Sequence, residues 1–75
     1  MRRYANLSGD SGVVAYRIGQ DFIEVRFKDG GTYVYTHASA GPRHVEAMKE
    51  LALAGKGLST YISRHVGAAY AAKRP

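Results

Sequence analysis

The chain has 75 residues, 45% of them hydrophobic, and no cysteine. Those figures fit one domain with a modest core and exclude a disordered polar chain, a disulfide framework, a thiolate metal site and a catalytic thiol. Eleven Lys and Arg against six Asp and Glu leave a formal net charge of +5, a balance that favours a polyanion such as RNA or DNA as partner.

Residues 1–12, MRRYANLSGDSG, are mostly small and polar. Two arginines with no apolar run behind them do not make a secretory signal, and the segment reads as a flexible N-terminal arm. No apolar run anywhere approaches the roughly 18 residues that a membrane span requires. The expectation is a soluble cytoplasmic protein without a membrane partner.

The first strand is expected over VVAYRI (13–18), with Val14, Tyr16 and Ile18 on one side and Val13, Ala15 and Arg17 on the other. Its β-branched and aromatic content favours extended backbone. FIEVRFK (22–28) alternates most clearly: Ile23, Val25 and Phe27 against Glu24, Arg26 and Lys28, one dry face and one wet. The DGG that follows is a hairpin signal, and TYVYT (32–36) is the third strand.

Two tyrosines at i and i+2 share a face of that strand, and the turn decides which. A two-residue turn puts Tyr33 and Tyr35 on the wet side with Arg26 and Lys28, where they would form a stacking platform for unpaired bases. A three-residue loop, Lys28-Asp29-Gly30, with glycine at the positive-φ position, pairs Val25 with Tyr33 and Ile23 with Tyr35 on the dry side. The second register sorts the faces better and buries two large rings. It is the one expected here.

Beyond His37 the period becomes helical. Pro42 suits the first turn of a helix, with Ser39 the nearest capping candidate. Val45, Met48, Leu51 and Ala52 recur at helical spacing, and Gly55 marks the stop. A shorter helix fits LSTYISRHV (58–66), closed by Gly67. The expected fold is α+β: a three-stranded antiparallel meander followed by two helices packed on one face, in the order βββαα. Residues 13–67 form the domain, and 68–75, AAYAAKRP, a basic tail that frays.

The order of motifs resembles the KTSC domain, a family named after the C-terminal domain of some lysyl-tRNA synthetases and also found as a small stand-alone bacterial protein. The residues that carry the likeness are Ile23, Val25, Phe27 and Gly30, the Tyr33-x-Tyr35 pair, and Gly55, Gly57, Leu58 and Ile62. The resemblance spans about residues 8–70. It implies the fold given above and, through the synthetase association, RNA binding. It implies no catalytic residue.

The residues themselves offer binding rather than catalysis. Lys56, Arg64, Lys73 and Arg74 lie in a stretch, 55–75, that contains no acid; they are the first candidates to touch a nucleic-acid backbone. Arg26 and Lys28, with Arg17 near them, are second candidates as a basic stripe on the wet face of the sheet, blunted by Asp21, Glu24 and Asp29. The plainer alternative is a cationic tail that serves solubility. GKGLS (55–59) offers backbone N–H groups and Lys56 to a phosphate, or is simply a tight turn between helices that needs glycine. His37, His44 and His65 lack metal-ligand spacing. Ser59 and Ser63 near His65 have no carboxylate to orient the imidazole. No cofactor site is expected, and the chain reads as non-enzymatic. One reading is a small RNA-binding module acting through its basic C-terminal helix and tail. The other is a protein-interaction module or homodimer that pairs through an exposed sheet edge, strand 13–18 or 32–36.

Overall fold

Alternation is strongest over Phe22–Phe27, and that segment is the central strand, β3, of a five-stranded antiparallel sheet. The computed structural model describes all 75 residues. In chain order the strands are β1 (Arg2–Arg3), β2 (Val13–Ile18), β3, β4 (Thr32–Thr36) and β5 (Ala72–Arg74), and they lie side by side in that same order.

The β3–β4 hairpin has the register set by a three-residue loop. Val25 stands opposite Tyr33 and Ile23 opposite Tyr35. Phe27 and Gly31 close the loop, with the Phe27 N–H donating to the Gly31 carbonyl at 2.8 Å. Gly30 holds φ at +97°, where an L side chain would be strained. Both tyrosines therefore share the face of Ile23 and Val25. They differ in depth: Tyr35 is 2% exposed and Tyr33 is half-buried.

Strand β2 departs from simple alternation. Val13 pairs with Phe27 but Ala15 with Arg26, so Val14 is an extra residue in a β-bulge. The bulge turns both Val13 and Tyr16 inward and leaves Val14 and Ile18 exposed. The expected grouping by side holds for Tyr16 and Ile18, which stand opposite Val25 and Ile23, and fails at the bulge, where Val13 is buried in place of Val14.

The three-stranded meander and the βββαα order are corrected to a five-stranded sheet. Its two outer strands are the segments expected to be a flexible arm and a fraying tail. Neither contains a large apolar side chain, so neither carries a period; each is held by its backbone and by a neighbouring tyrosine. Tyr4, just after β1, is 3% exposed, and its hydroxyl accepts the Leu58 N–H at 3.3 Å. The arm is fastened again where the Leu7 N–H donates to the Gly55 carbonyl at 2.8 Å. Before β5, the Ala71 N–H donates to the Val34 carbonyl at 2.7 Å, and Tyr70 packs edge-on to Tyr33.

The helical part has three segments. Helix α1 (His37–Ala40) is one turn, capped by Thr36: the Ser39 N–H donates to the Thr36 hydroxyl and the Thr36 N–H to the Ser39 hydroxyl, both at 3.0 Å. Ser39 thus belongs to this turn and does not cap the long helix. Helix α2 (Pro42–Ala54) starts with proline at its first position and ends at Gly55, φ +79°. Helix α3 (Leu58–Tyr61) runs on into a wider π-type turn, Ile62–Val66, closed by the Gly67 N–H on the Ile62 carbonyl at 2.7 Å. Val45, Met48, Ala52, Leu58, Ile62 and Val66 from the helices join Ile23, Val25 and Tyr35 from the sheet in one buried cluster. The helices therefore cover the inner face, and the outer face is bare. No helix is long and apolar enough to cross a membrane.

Candidate nucleic-acid interface

Residues paired across antiparallel strands project from the same side of a sheet. One register line runs Arg3, Ala15, Arg26, Thr32, Arg74 from β1 to β5. It lies on the outer face, since the next line inward in sequence is Tyr16, Val25 and Tyr33. Arginine occupies every other strand of that line. Strands lie about 4.8 Å apart, so the three arginine positions are spaced by roughly 10 Å. Between them stand only Ala15 and Thr32, side chains too short to interrupt the line.

The adjacent line holds Arg17, Glu24, Val34 and Ala72. Glu24 is the one acid on this face, and it is only 5% exposed. Arg17 covers it from β2, donating Nε–H to Oε2 at 2.9 Å and a second N–H to the same oxygen. Arg74 approaches from β5, with Nη1 3.6 Å from Oε1. The glutamate thus neutralises part of Arg17 and Arg74 and orders both. Arg3 and Arg26 enter none of the ion pairs. Four arginines against one covered glutamate make the outer face strongly cationic.

The six basic residues singled out from the sequence do not share one surface. Arg26 and Arg74 are on the outer face. Lys73 faces the other way, its Nζ 5.2 Å from the centre of the Tyr33 ring; the tyrosine beside it raises its pKa above the usual lysine value. Lys28 sits at the end of the β3–β4 hairpin. Lys56 and Arg64 are exposed on the helical layer, across the core from the arginine line. Arg17, expected near Arg26 and Lys28, does share the face of Arg26, opposite Glu24; the sequence reading missed Arg3, because its placement depends on β1.

The GKGLS segment is a tight turn. Gly55 and Gly57 both have positive φ, and a Cβ on Gly55 would lie 2.6 Å from that of Ala5. The first N–H of α3, from Leu58, is already taken by the Tyr4 hydroxyl. No group of three His, Asp or Glu side chains is placed to hold a metal ion. His44 instead bonds the Tyr61 hydroxyl through Nδ1 at 2.7 Å, and His37 bonds Glu46 at 2.8 Å.

A second feature lies where the helices stop short of the hairpin end of the inner face. There an open cleft of about 700 Å³ is walled by Phe27, Tyr33, Tyr35 and Tyr70, with Lys28 and Asp29 at its mouth. The rings meet edge to face: Phe27 to Tyr33 at 5.3 Å, Tyr33 to Tyr70 at 4.9 Å and Tyr35 to Tyr70 at 6.2 Å between centres. Burial, more than the neighbouring phenols Tyr33 and Tyr70, pushes the Tyr35 hydroxyl up to about 12. Tyr70 lies in the segment read as tail, and a lone tyrosine among alanines gave little to find it by.

No protein-family model, no curated protein and no solved structure matches the chain. The resemblance to the KTSC domain therefore rests on the order of motifs alone.

Proposed function

We propose that this chain is a small non-enzymatic module that binds nucleic acid, RNA in particular, by laying the phosphate backbone across the outer face of its sheet. The observation that carries this reading is the line Arg3, Arg26, Arg74, three guanidinium groups on alternate strands of a bare face with one acid beside them, itself covered. Guanidinium groups match phosphate oxygens in geometry and stay charged at any working pH. The motif order shared with the KTSC domain favours RNA over DNA. The site differs from the one expected on the C-terminal helix: the line draws on both ends of the chain, and Lys56 and Arg64 lie off it.

Against the alternative, pairing through strand 13–18 or 32–36 as an exposed edge, stands the pairing of β1 with Ala15 and Tyr16 and of β5 with Thr32, Tyr33 and Val34. The true edges are two and three residues long and carry Arg2, Arg3, Lys73 and Arg74. Short cationic edges discourage pairing with another strand.

Fluorescence anisotropy with labelled tRNA and with mixed single-stranded RNA tests the proposal. Three or four phosphate contacts to a single strand predict that raising salt from 50 to 200 mM weakens binding by roughly 20- to 50-fold. Replacing Arg3, Arg26 and Arg74 together by glutamine is expected to weaken binding at 50 mM salt by more than about tenfold. The pair Lys56→Glu and Arg64→Glu should change it far less. Absence of binding at low salt, or a triple variant that binds like the parent chain, overturns the reading.

A further inference from the structure

The aromatic cleft and the arginine line are joined. A smaller cavity of about 360 Å³ lies at the β5 edge between Asp29, Tyr33, Lys73 and Arg74. Tyr33 and Asp29 wall both cavities. Arg74 is also the last member of the arginine line. A continuous path thus runs from the outer face, over the edge at Lys73 and Arg74, past Tyr33, and into the cleft of Phe27, Tyr35 and Tyr70. Its first part is cationic and its last part is aromatic.

We infer that the cleft receives one unpaired nucleobase from a strand whose backbone lies on the arginine line, with the phosphate of that nucleotide in the notch between Lys73 and Arg74. This rests on the reading of the chain as a nucleic-acid binder, and it specifies a single strand as ligand.

Chemistry along the path argues for this occupant. A volume of about 700 Å³ falls within the roughly 300–1,000 Å³ typical of small-ligand pockets. Its walls are ring faces and edges with phenol hydroxyls, which suit a flat heterocycle with polar rims. Any base fits such walls, because every base has a π face. Tyr35, at 2% exposure, forms the floor; Tyr33 and Tyr70 are half-buried and form the sides. The charge pattern orients the nucleotide. Asp29 stands at the mouth shared by both cavities, with Oδ1 engaged by the Gly31 N–H at 3.0 Å. Its negative charge is offset by Lys28 beside it at the cleft, and in the notch it stands as one acid against Lys73 and Arg74, whose two cations attract the phosphate to the β5 side. A duplex cannot follow this path, since its bases are paired and stacked.

The test compares four RNA probes on the full chain: a short mixed-sequence single strand, the same sequence as a blunt duplex, an abasic strand of equal length, and a strand in which 2-aminopurine replaces the adenines. The single strand is expected to bind at least tenfold more tightly than the duplex. Loss of all bases at unchanged phosphate charge should weaken binding by roughly 5- to 150-fold, the worth of one base stacked on aromatic side chains. The fluorescence of 2-aminopurine should fall on binding, and the fall should shrink with Tyr70→Leu. An abasic strand that binds as tightly as the intact one overturns the inference and leaves the arginine contacts standing, provided that binding still falls with salt. Failure of every probe to bind at low salt overturns both. Because the abasic and duplex comparisons use the unaltered chain, instability of Tyr70→Leu does not spare the inference.

Discussion

Tyr35 and Tyr33 are two residues apart on one strand face, yet they are put to different uses. The Tyr35 ring is enclosed and its hydroxyl is held neutral, with a pKa near 12 against an ordinary 10.0. A group whose folded pKa is raised contributes stability below its unfolded pKa and loses it as pH climbs from the unfolded toward the folded value. The protein should therefore weaken between pH 10 and 12. In a spectrophotometric titration, one phenol should ionise near pH 12 and not at the ordinary 10.0, or ionise together with unfolding. Tyr35→Phe should remove that late step. A titration in which all the phenols ionise together near pH 10 while the fold persists would contradict the enclosure of Tyr35. Tyr33, by contrast, keeps one side to the cleft, and Lys73 lies over its ring.

Turns set the elements, and the two that matter most separate by what surrounds their glycines. Gly30 and Gly55 both have positive φ, but a Cβ on Gly30 would meet nothing within 4 Å, whereas one on Gly55 would meet Ala5 at 2.6 Å. Gly30→Ala should cost about 1–2 kcal/mol, the backbone term alone. Gly55→Ala adds displacement of the N-terminal segment from the α2–α3 turn, where the Leu7 N–H holds the Gly55 carbonyl; it should lower the urea midpoint by clearly more. Equal losses would mean that the arm does not press on that turn. The hairpin was legible in the sequence because its faces and its glycine pointed to one register. The helices were legible because Val45, Met48 and Ala52 keep a helical period. The bulge was not, since Val13 and Val14 are the same residue and nothing in their order says which is doubled. Nor were β1 and β5, whose residues bury nothing: Arg-Arg and Ala-Lys-Arg have no apolar pattern to read, and only Tyr4 and Tyr70 beside them bear on the core.

At the scale of the molecule, the candidate site is a product of register between distant segments. Arg3 and Arg74 are at opposite ends of the chain and come into one line only because three strands separate β1 from β5. The acid-free C-terminal stretch drew notice to Lys73 and Arg74, but linear charge counting also drew in Lys56 and Arg64, which the fold carries to the other layer. The same closing strand guards the sheet. Without residues 71–75, the Val34 carbonyl loses the Ala71 N–H, β5 is gone, and the β4 edge is left open along TYVYT, a β-prone, uncharged segment. Exposed edges of that kind pair with other chains. A chain ending at Tyr70 should accordingly associate with itself, its apparent mass in sedimentation rising with concentration above that of the full chain at equal loading. It should also lose affinity for RNA, since Lys73 and Arg74 go with the strand. If the shortened chain sediments like the full one at every concentration, β5 is not what keeps the β4 edge from pairing, and the pairing of β4 with β5 contributes little to the sheet.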